Sequence, residues 1–221
     1  MTEEKINVGE ISDQEMGVFE TMYNCRAMRK LEAEPVPEEL LVKLIEAGNQ
    51  APSGSNMQRA RWIVVRDPDQ KKRLAELNKK SVEAYIGPQS GRPTALPHQS
   101  ADKRQRMLAA VMWQAEHMHQ VPALIIACML FDEEPSALDR ARAGGSIWPG
   151  IQNVLLAARA LGLGAAPTTL GLVDRDAAKA VLGLPSNMEA FCLIPVGYPM
   201  GNFGPVTRLP VGETMQWDRW E

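Results

Sequence analysis

Arg26 and Arg29 stand three residues apart in the stretch CRAMRKL, residues 25 to 31. On a helix this spacing would place both guanidinium groups on one side, where they repel each other unless an anion lies between them. Taken alone, the pair also reads as solvated cations at a helix end. Residues 51 to 58, APSGSNMQ, pose a second question. A plain connector needs one Gly or Pro, whereas this stretch sets Pro52, Ser53, Gly54, Asn56 and Gln58 close together. Free backbone N–H groups, hydroxyls and amides in that density suit polyol hydroxyls, the carbonyls and ring nitrogens of a heterocycle, or a phosphate. A helix stop followed by a strand start is the plainer reading of the same residues. Pro167, Thr168, Thr169 and Leu170 lie in GLGAAPTTLG, residues 162 to 171, a stiff, narrow loop whose backbone could run along a flat ring. Arg208 is the single arginine in the extended tail GYPMGNFGPVTRLPV, residues 197 to 211.

Other chemistries lack their residues. The sequence shows no Ser-His-Asp grouping, phosphate-cradling P-loop, H-E-x-x-H or paired-carboxylate pattern. The G-x-G of GLGAAPTTLG follows a predicted helix rather than a strand and lacks the third glycine of a dinucleotide fingerprint. His117 and His119, two apart on a predicted helix, face different directions and suit a metal poorly. Chemistry, if there is any, falls to a cofactor.

Composition narrows the class. The chain has 221 residues, 45% hydrophobic and 23% charged, enough for one domain with a full core. A net charge of -3 argues against nucleic-acid or membrane-surface partners. The cysteines Cys25, Cys128 and Cys192 are odd in number and widely spaced, which points to a reducing cytoplasm and not to a disulfide framework. No stretch approaches the ~20 apolar residues of a membrane span.

The elements that must hold these residues follow from periodicity. Ser12 and Glu15 form a candidate capping box before Met16, Phe19 and Tyr23, which share a helical face. Pro37 opens a second helix with Leu40, Leu41, Leu44 and Ile45 as its stripe, and this helix runs straight into APSGSNMQ. Buried strands are expected at residues 62 to 65, 123 to 131 and 191 to 196, with helices at about 70 to 79, 103 to 118, 147 to 161 and 175 to 182. Residues 80 to 105, rich in Pro and Gly from Tyr85 to Ser100, read as a loop or lid excursion. Strands separated by helices indicate an α+β or α/β class.

Taken together and in order, CRAMRKL, PVPEELLVKLIEAGNQAPSGSNMQRARWIVV, GSIWPGIQNVLLAARALGLGAAPTTLG and IPVGYPMGNFGPVTRLPV resemble the FMN-dependent nitroreductase family. The resemblance implies an α+β fold, a central, mainly antiparallel sheet flanked by helices, in an intertwined homodimer with FMN at each of two interface sites. The family's opening motif has two arginines, Ser, any residue, and Arg or Lys. Here Cys25 replaces the first arginine and Ala27 the serine, so Arg26, Arg29 and Arg208 are left to hold the phosphate. Pro52, Ser53, Gly54, Asn56 and Gln58 would meet the ring and ribityl chain from the second subunit. Pro167, Thr168, Thr169 and Leu170 would lie along the other face, with a backbone N–H near Thr169 toward flavin N5.

The resemblance also implies NADH or NADPH as donor and a small electron-poor acceptor, a nitroaromatic or quinone, using one space in turn. No side-chain acid or base is required. Tyr85, His98, Trp113 and Trp148 are candidates to line that space. Oxygen-using, dehalogenating or dehydrogenating chemistry and non-catalytic flavin binding are the alternatives.

Overall fold

In the computed structural model, residues 16–87 and 100–220 are described. The candidate capping box at Ser12 and Glu15, His98, and residues 88–99 of the predicted excursion lie outside them. Four strands, β1 (Ala60–Val65), β2 (Ala123–Leu130), β3 (Gly164–Ala165) and β4 (Met188–Gly197), form one sheet in the order β1-β2-β4-β3. Every pairing is antiparallel. The helices are α1 (Val18–Asn24), α2 (Glu38–Asn49), α3 (Pro68–Ile86), α4 (Ala101–His117), α5 (Ala137–Ala160) and α6 (Arg175–Leu182).

The alternation of β2 explains the layers. Ala123, Ile125, Ala127 and Met129 pack with Leu44 of α2 and Ile147, Ile151 and Val154 of α5. Leu124, Ile126 and Cys128 point the other way, to Leu74 of α3 and Val181 of α6. A strand covered on both faces reads as an unbroken apolar run because neither face meets water. Among the described residues no helix is long and apolar enough to cross a membrane.

Several elements depart from the periodicity. Helix α5 starts at Ala137, ten residues before the expected Ile147, because Ser136 and Asp139 build a capping box. Gly144, Gly145 and Pro149 obscured it, yet the helix carries Pro149 internally. Helix α3 continues to Ile86, past the expected Lys79. Phe19 and Tyr23 share a face of α1 as expected, with ring centroids 6.4 Å apart, and both are exposed, at 68% and 65%.

Helix α2 is pressed onto α5 and β1 at its end. A Cβ on Gly48 would come within 2.8 Å of the Trp62 ring and 3.0 Å of Val154, and Trp62 Nε1 donates to Asn49 Oδ1 at 2.9 Å. This close packing sets where the chain leaves α2 and enters residues 51 to 58.

Candidate functional site

CRAMRKL is extended, not helical. The tail runs antiparallel beside it: Glu32 N–H donates to Tyr198 O at 2.8 Å, Met200 N–H to Lys30 O at 3.1 Å, and Val206 N–H to Tyr23 O at 2.9 Å. The Pro- and Gly-rich tail is therefore held by backbone bonds up to the residues just before Arg208. On the other side, Met28 N–H donates to Ala165 O at 3.0 Å. Glycine at 164 permits this approach, since a Cβ there would meet Leu31 at 2.6 Å and Met28 at 3.0 Å. Three distant pieces of sequence, 25 to 29, 164 to 170 and 198 to 208, thus become neighbours.

Around Cys25 the charge is one-sided. The half-buried Cys25 thiol donates to Leu155 O at 3.6 Å, and burial pushes its pKa above the ordinary value, with Arg159 and Arg208 partly opposing that rise. Arg26 donates to Asn202 O and lies against Gly204. Among the described residues Arg208 bonds only the carbonyl of Thr207, at 2.9 Å. The guanidinium of Arg159 lies 4.1 Å over the centre of the Phe203 ring. Among the described residues, Arg26, Arg159 and Arg208 form no ion pair. Ala27, exposed, adds no hydroxyl here.

Arg29, three residues further on, is half-buried, and burial pulls its pKa below the ordinary value. It has neither a carboxylate nor a hydrogen-bond partner among the described residues. Arg26 is held to the tail at Asn202 and the charge of Arg208 acts on the Cys25 thiol, while no contact joins Arg29 to either among the described residues.

The 167 to 170 loop is fixed by β4. Thr168 N–H donates to Leu193 O at 2.8 Å and Leu193 N–H returns to Thr168 O at 2.9 Å, while Leu170 N–H donates to Thr168 Oγ1 at 3.3 Å. Between them, the N–H of exposed Thr169 makes no hydrogen bond among the described residues. Pro167 is exposed and Leu170 half-buried.

Residues 52 to 58 occupy the opposite edge. Gly54 N–H donates to Ser146 Oγ at 3.0 Å and Gln58 N–H to Ser53 Oγ at 3.1 Å. Ser55, Asn56 and Gln58 adopt positive φ of 51°, 53° and 49°. Asparagine tolerates this region, whereas Ser and Gln are strained there. Pro52 precedes them, exposed. Beside the loop is a recess of about 630 Å³ lined by Ser53, Gly54, Arg59, Arg142 and Ser146 among others.

Across the sheet Thr168 faces Leu193, Leu193 faces Ile126, and Ile126 faces Ile63. At about 4.8 Å per strand, the β1 edge that receives residues 52 to 58 lies roughly 14 Å from Thr168. A flat ring held between two walls needs a gap of roughly 7 Å, two van der Waals contacts. One chain does not bring its two predicted half-sites together.

Of the other candidates, Trp113 is stacked on His117 with centroids 4.3 Å apart, and Tyr85 and Trp148 are exposed. Sequence reasoning missed Arg159, Phe203 and Ser146. A lone arginine in the last turn of a helix reads as a partner for the helix dipole, which concealed Arg159.

The nitroreductase family model matches residues 24–198, which include Cys25 to Arg29, the 52 to 58 loop and the 167 to 170 loop. The chain belongs to the nitroreductase family. Among its relatives, NADH dehydrogenase of Thermus thermophilus is 30% identical over 197 residues, covering 87% of this chain and 91% of that protein. Iodotyrosine deiodinase of Thermotoga neapolitana is 26% identical over 174 residues, 79% of this chain and 84% of the relative. In three dimensions this nitroreductase-family chain matches an oxidized iodotyrosine deiodinase bound to FMN and 3-iodo-L-tyrosine, with a TM-score of 0.71 and 21% identity over 92% of this chain and 100% of the other. NfrA1 of B. megaterium also gives 0.71, at 22% identity, over 92% and 75%. At that identity the structural matches establish the fold, an antiparallel sheet flanked by helices.

Proposed function

We propose that the protein is an FMN-dependent oxidoreductase that takes electrons from NADH or NADPH and passes them to a small electron-poor acceptor. The observation that carries this reading is that, among the described residues, Arg26 and Arg208 form no ion pair and the N–H of Thr169 makes no hydrogen bond, the 25 to 29 and 164 to 170 segments being joined through Met28 and Ala165. Guanidinium groups left without carboxylates beside a half-buried thiol fit a phosphate, which carries nearly two negative charges. Bound there, FMN would relay hydride between a nicotinamide and the acceptor.

The residues supply binding and orientation. Arg26 and Arg208 hold the phosphate end, and Arg29, unpaired and desolvated, offers a third cation further along the same extended segment. The backbone of 167 to 170, fixed to β4, forms a rigid wall and presents one donor, at Thr169. A fixed donor aimed at a ring nitrogen costs no reorganisation when charge builds up there.

The second wall comes from a second copy of the chain. Within one copy the 52 to 58 loop is on the far edge of the sheet, and the exposed apolar residues Val18, Phe19, Met22, Tyr23, Trp217 and Trp220 are a surface that a partner would cover. In this reading Asn56 and Gln58 reach the ring or ribityl chain of the neighbouring copy. The odd set of free cysteines, Cys25, Cys128 and Cys192, and the negative net charge suit a protein of the cytoplasm.

The test is direct. Extraction of the purified or reconstituted protein should yield about one FMN per chain, and NAD(P)H oxidation should rise when a nitroarene or quinone is added. Recovery of FAD, or no flavin after reconstitution, overturns the reading. The deiodinase relatives favour a second reading, with a halogenated phenol as acceptor. Halide release from 3-iodotyrosine under anaerobic reducing conditions, without nitroarene turnover, would establish it instead.

A further inference from the structure

The opening motif has lost an arginine at Cys25, yet the space around that thiol is strongly cationic. Arg159 comes from a different element, the last turn of α5. Leu155, whose carbonyl accepts from the Cys25 thiol at 3.6 Å, lies four residues before it, so both are on one helical face. The Arg159 guanidinium is stacked on Phe203 at 4.1 Å, and Phe203 sits in the tail between Arg26's partner Asn202 and Gly204, against which Arg26 packs. The Nε of Arg159 is buried and has no hydrogen-bond partner among the described residues.

A role at the helix C-terminus would explain a cation in this turn, but an exposed one would serve. It does not explain why the guanidinium is stacked on a ring from the tail, with a buried donor unmade and no ion pair to a carboxylate among the described residues. A buried charged donor without a partner is costly, so such a group is retained where a ligand completes it. The field of Arg159 at Cys25, the larger of the two arginine contributions there, agrees with this placement.

Resting on the FMN reading above, we propose that Arg159 is a phosphate-binding residue that takes the place left by the arginine missing at Cys25, with Phe203 as the platform that aims it. The phosphate site would then be built by Arg26 from the opening segment, Arg159 from α5 and Arg208 from the tail. Binding of the phosphate would join these three elements, which lie far apart in sequence.

The experiment compares the parent protein with Arg159→Met and Arg159→Lys, each stripped of flavin and titrated with FMN and with riboflavin by flavin fluorescence. Methionine keeps much of the stem's apolar packing on Phe203 and removes the charge. The expected result is that Arg159→Met weakens FMN by roughly tenfold or more and leaves riboflavin, which has no phosphate, within about twofold. Arg159→Lys, which keeps the charge but not the fork, should recover part of the FMN affinity. Two results overturn the proposal: FMN affinity of Arg159→Met within about twofold of the parent, or equal losses for FMN and riboflavin, which mark a merely structural role. If the parent binds neither flavin, the FMN reading itself is wrong, and that outcome is separate from a failure of Arg159 alone.

Discussion

Gln58 Nε2 donates to Asn56 Oδ1 at 3.2 Å while both residues hold positive φ, 49° and 53°. The bond turns the two amides toward each other across a strained turn. A backbone conformation that L residues avoid, repeated at Ser55, is retained when surrounding structure or a ligand compensates for it.

Gln58→Gly should therefore raise stability by about 0.5–1 kcal/mol, since glycine adopts positive φ without strain. The same change should weaken FMN several-fold by removing the amide. Urea unfolding and a flavin titration on one preparation check both halves. A drop in stability would show that the conformation at 58 is not strained.

Arg208→Ala should weaken FMN binding by at least ~1.5 kcal/mol, the scale of a lost charge-assisted hydrogen bond. The effect should fall on affinity more than on turnover at saturating FMN. Since among the described residues Arg208 bonds only its neighbour's carbonyl, folding stability should hardly change. An unchanged dissociation constant at moderate salt would show that the tail does not reach the phosphate.

Much of this was legible beforehand. Asp174 caps α6 and Gly183, at a φ of 64°, ends it, so local chemistry alone placed that helix at Arg175–Leu182. The run at 123 to 131 gave β2 because both faces are buried. What stayed hidden depends on contacts distant in sequence. Strand β3 is two residues long and exists through its pairing with Gly197 and Val196. CRAMRKL is extended because the tail and Ala165 supply its partners, which no local pattern encodes. Arg159 carries no motif, and its role emerges only where α5 meets Cys25 and Phe203.

Alkaline pH should act through two buried thiols. Burial pushes Cys128 and Cys192 from 9.0 up to about 12, and the charge of Glu189 adds to the rise at Cys128. Above pH 9 the unfolded chain releases these protons while the folded chain keeps them. Their contribution is therefore complete below about pH 9 and is lost as pH climbs toward 12. The slope is on the order of 1.4 kcal/mol per thiol for each pH unit. Urea midpoints from pH 7.5 to 10.5 should fall less steeply in a Cys128→Ala, Cys192→Ala double variant than in the parent. Equal slopes would contradict the argument.

The protein should be an obligate homodimer. Val18, Phe19, Met22 and Tyr23 of α1 and Trp217 and Trp220 of the tail are exposed in the single chain, and the two half-sites stay apart without a partner. Light scattering at micromolar concentration should give twice the chain mass of 24.4 kDa. A monomer would remove the second wall of the proposed site with it.

Steady-state kinetics should be ping-pong. With the 167 to 170 backbone covering one face of the bound ring, donor and acceptor are left the other face. Productive hydride transfer requires the reacting atoms about 3–3.5 Å apart, so a nicotinamide in reacting position fills the space that an acceptor needs. Neither the sequence nor the fold of the described residues shows a dinucleotide-binding unit where the nicotinamide could wait: the G-x-G at Gly162 follows α5, a helix, and leads into the two-residue β3. Double-reciprocal plots against NAD(P)H at several quinone concentrations should be parallel, and high quinone should inhibit competitively with the nicotinamide. Intersecting lines would require both ligands to be bound at once. A separate nicotinamide site would then have to exist, and the single shared face would be ruled out.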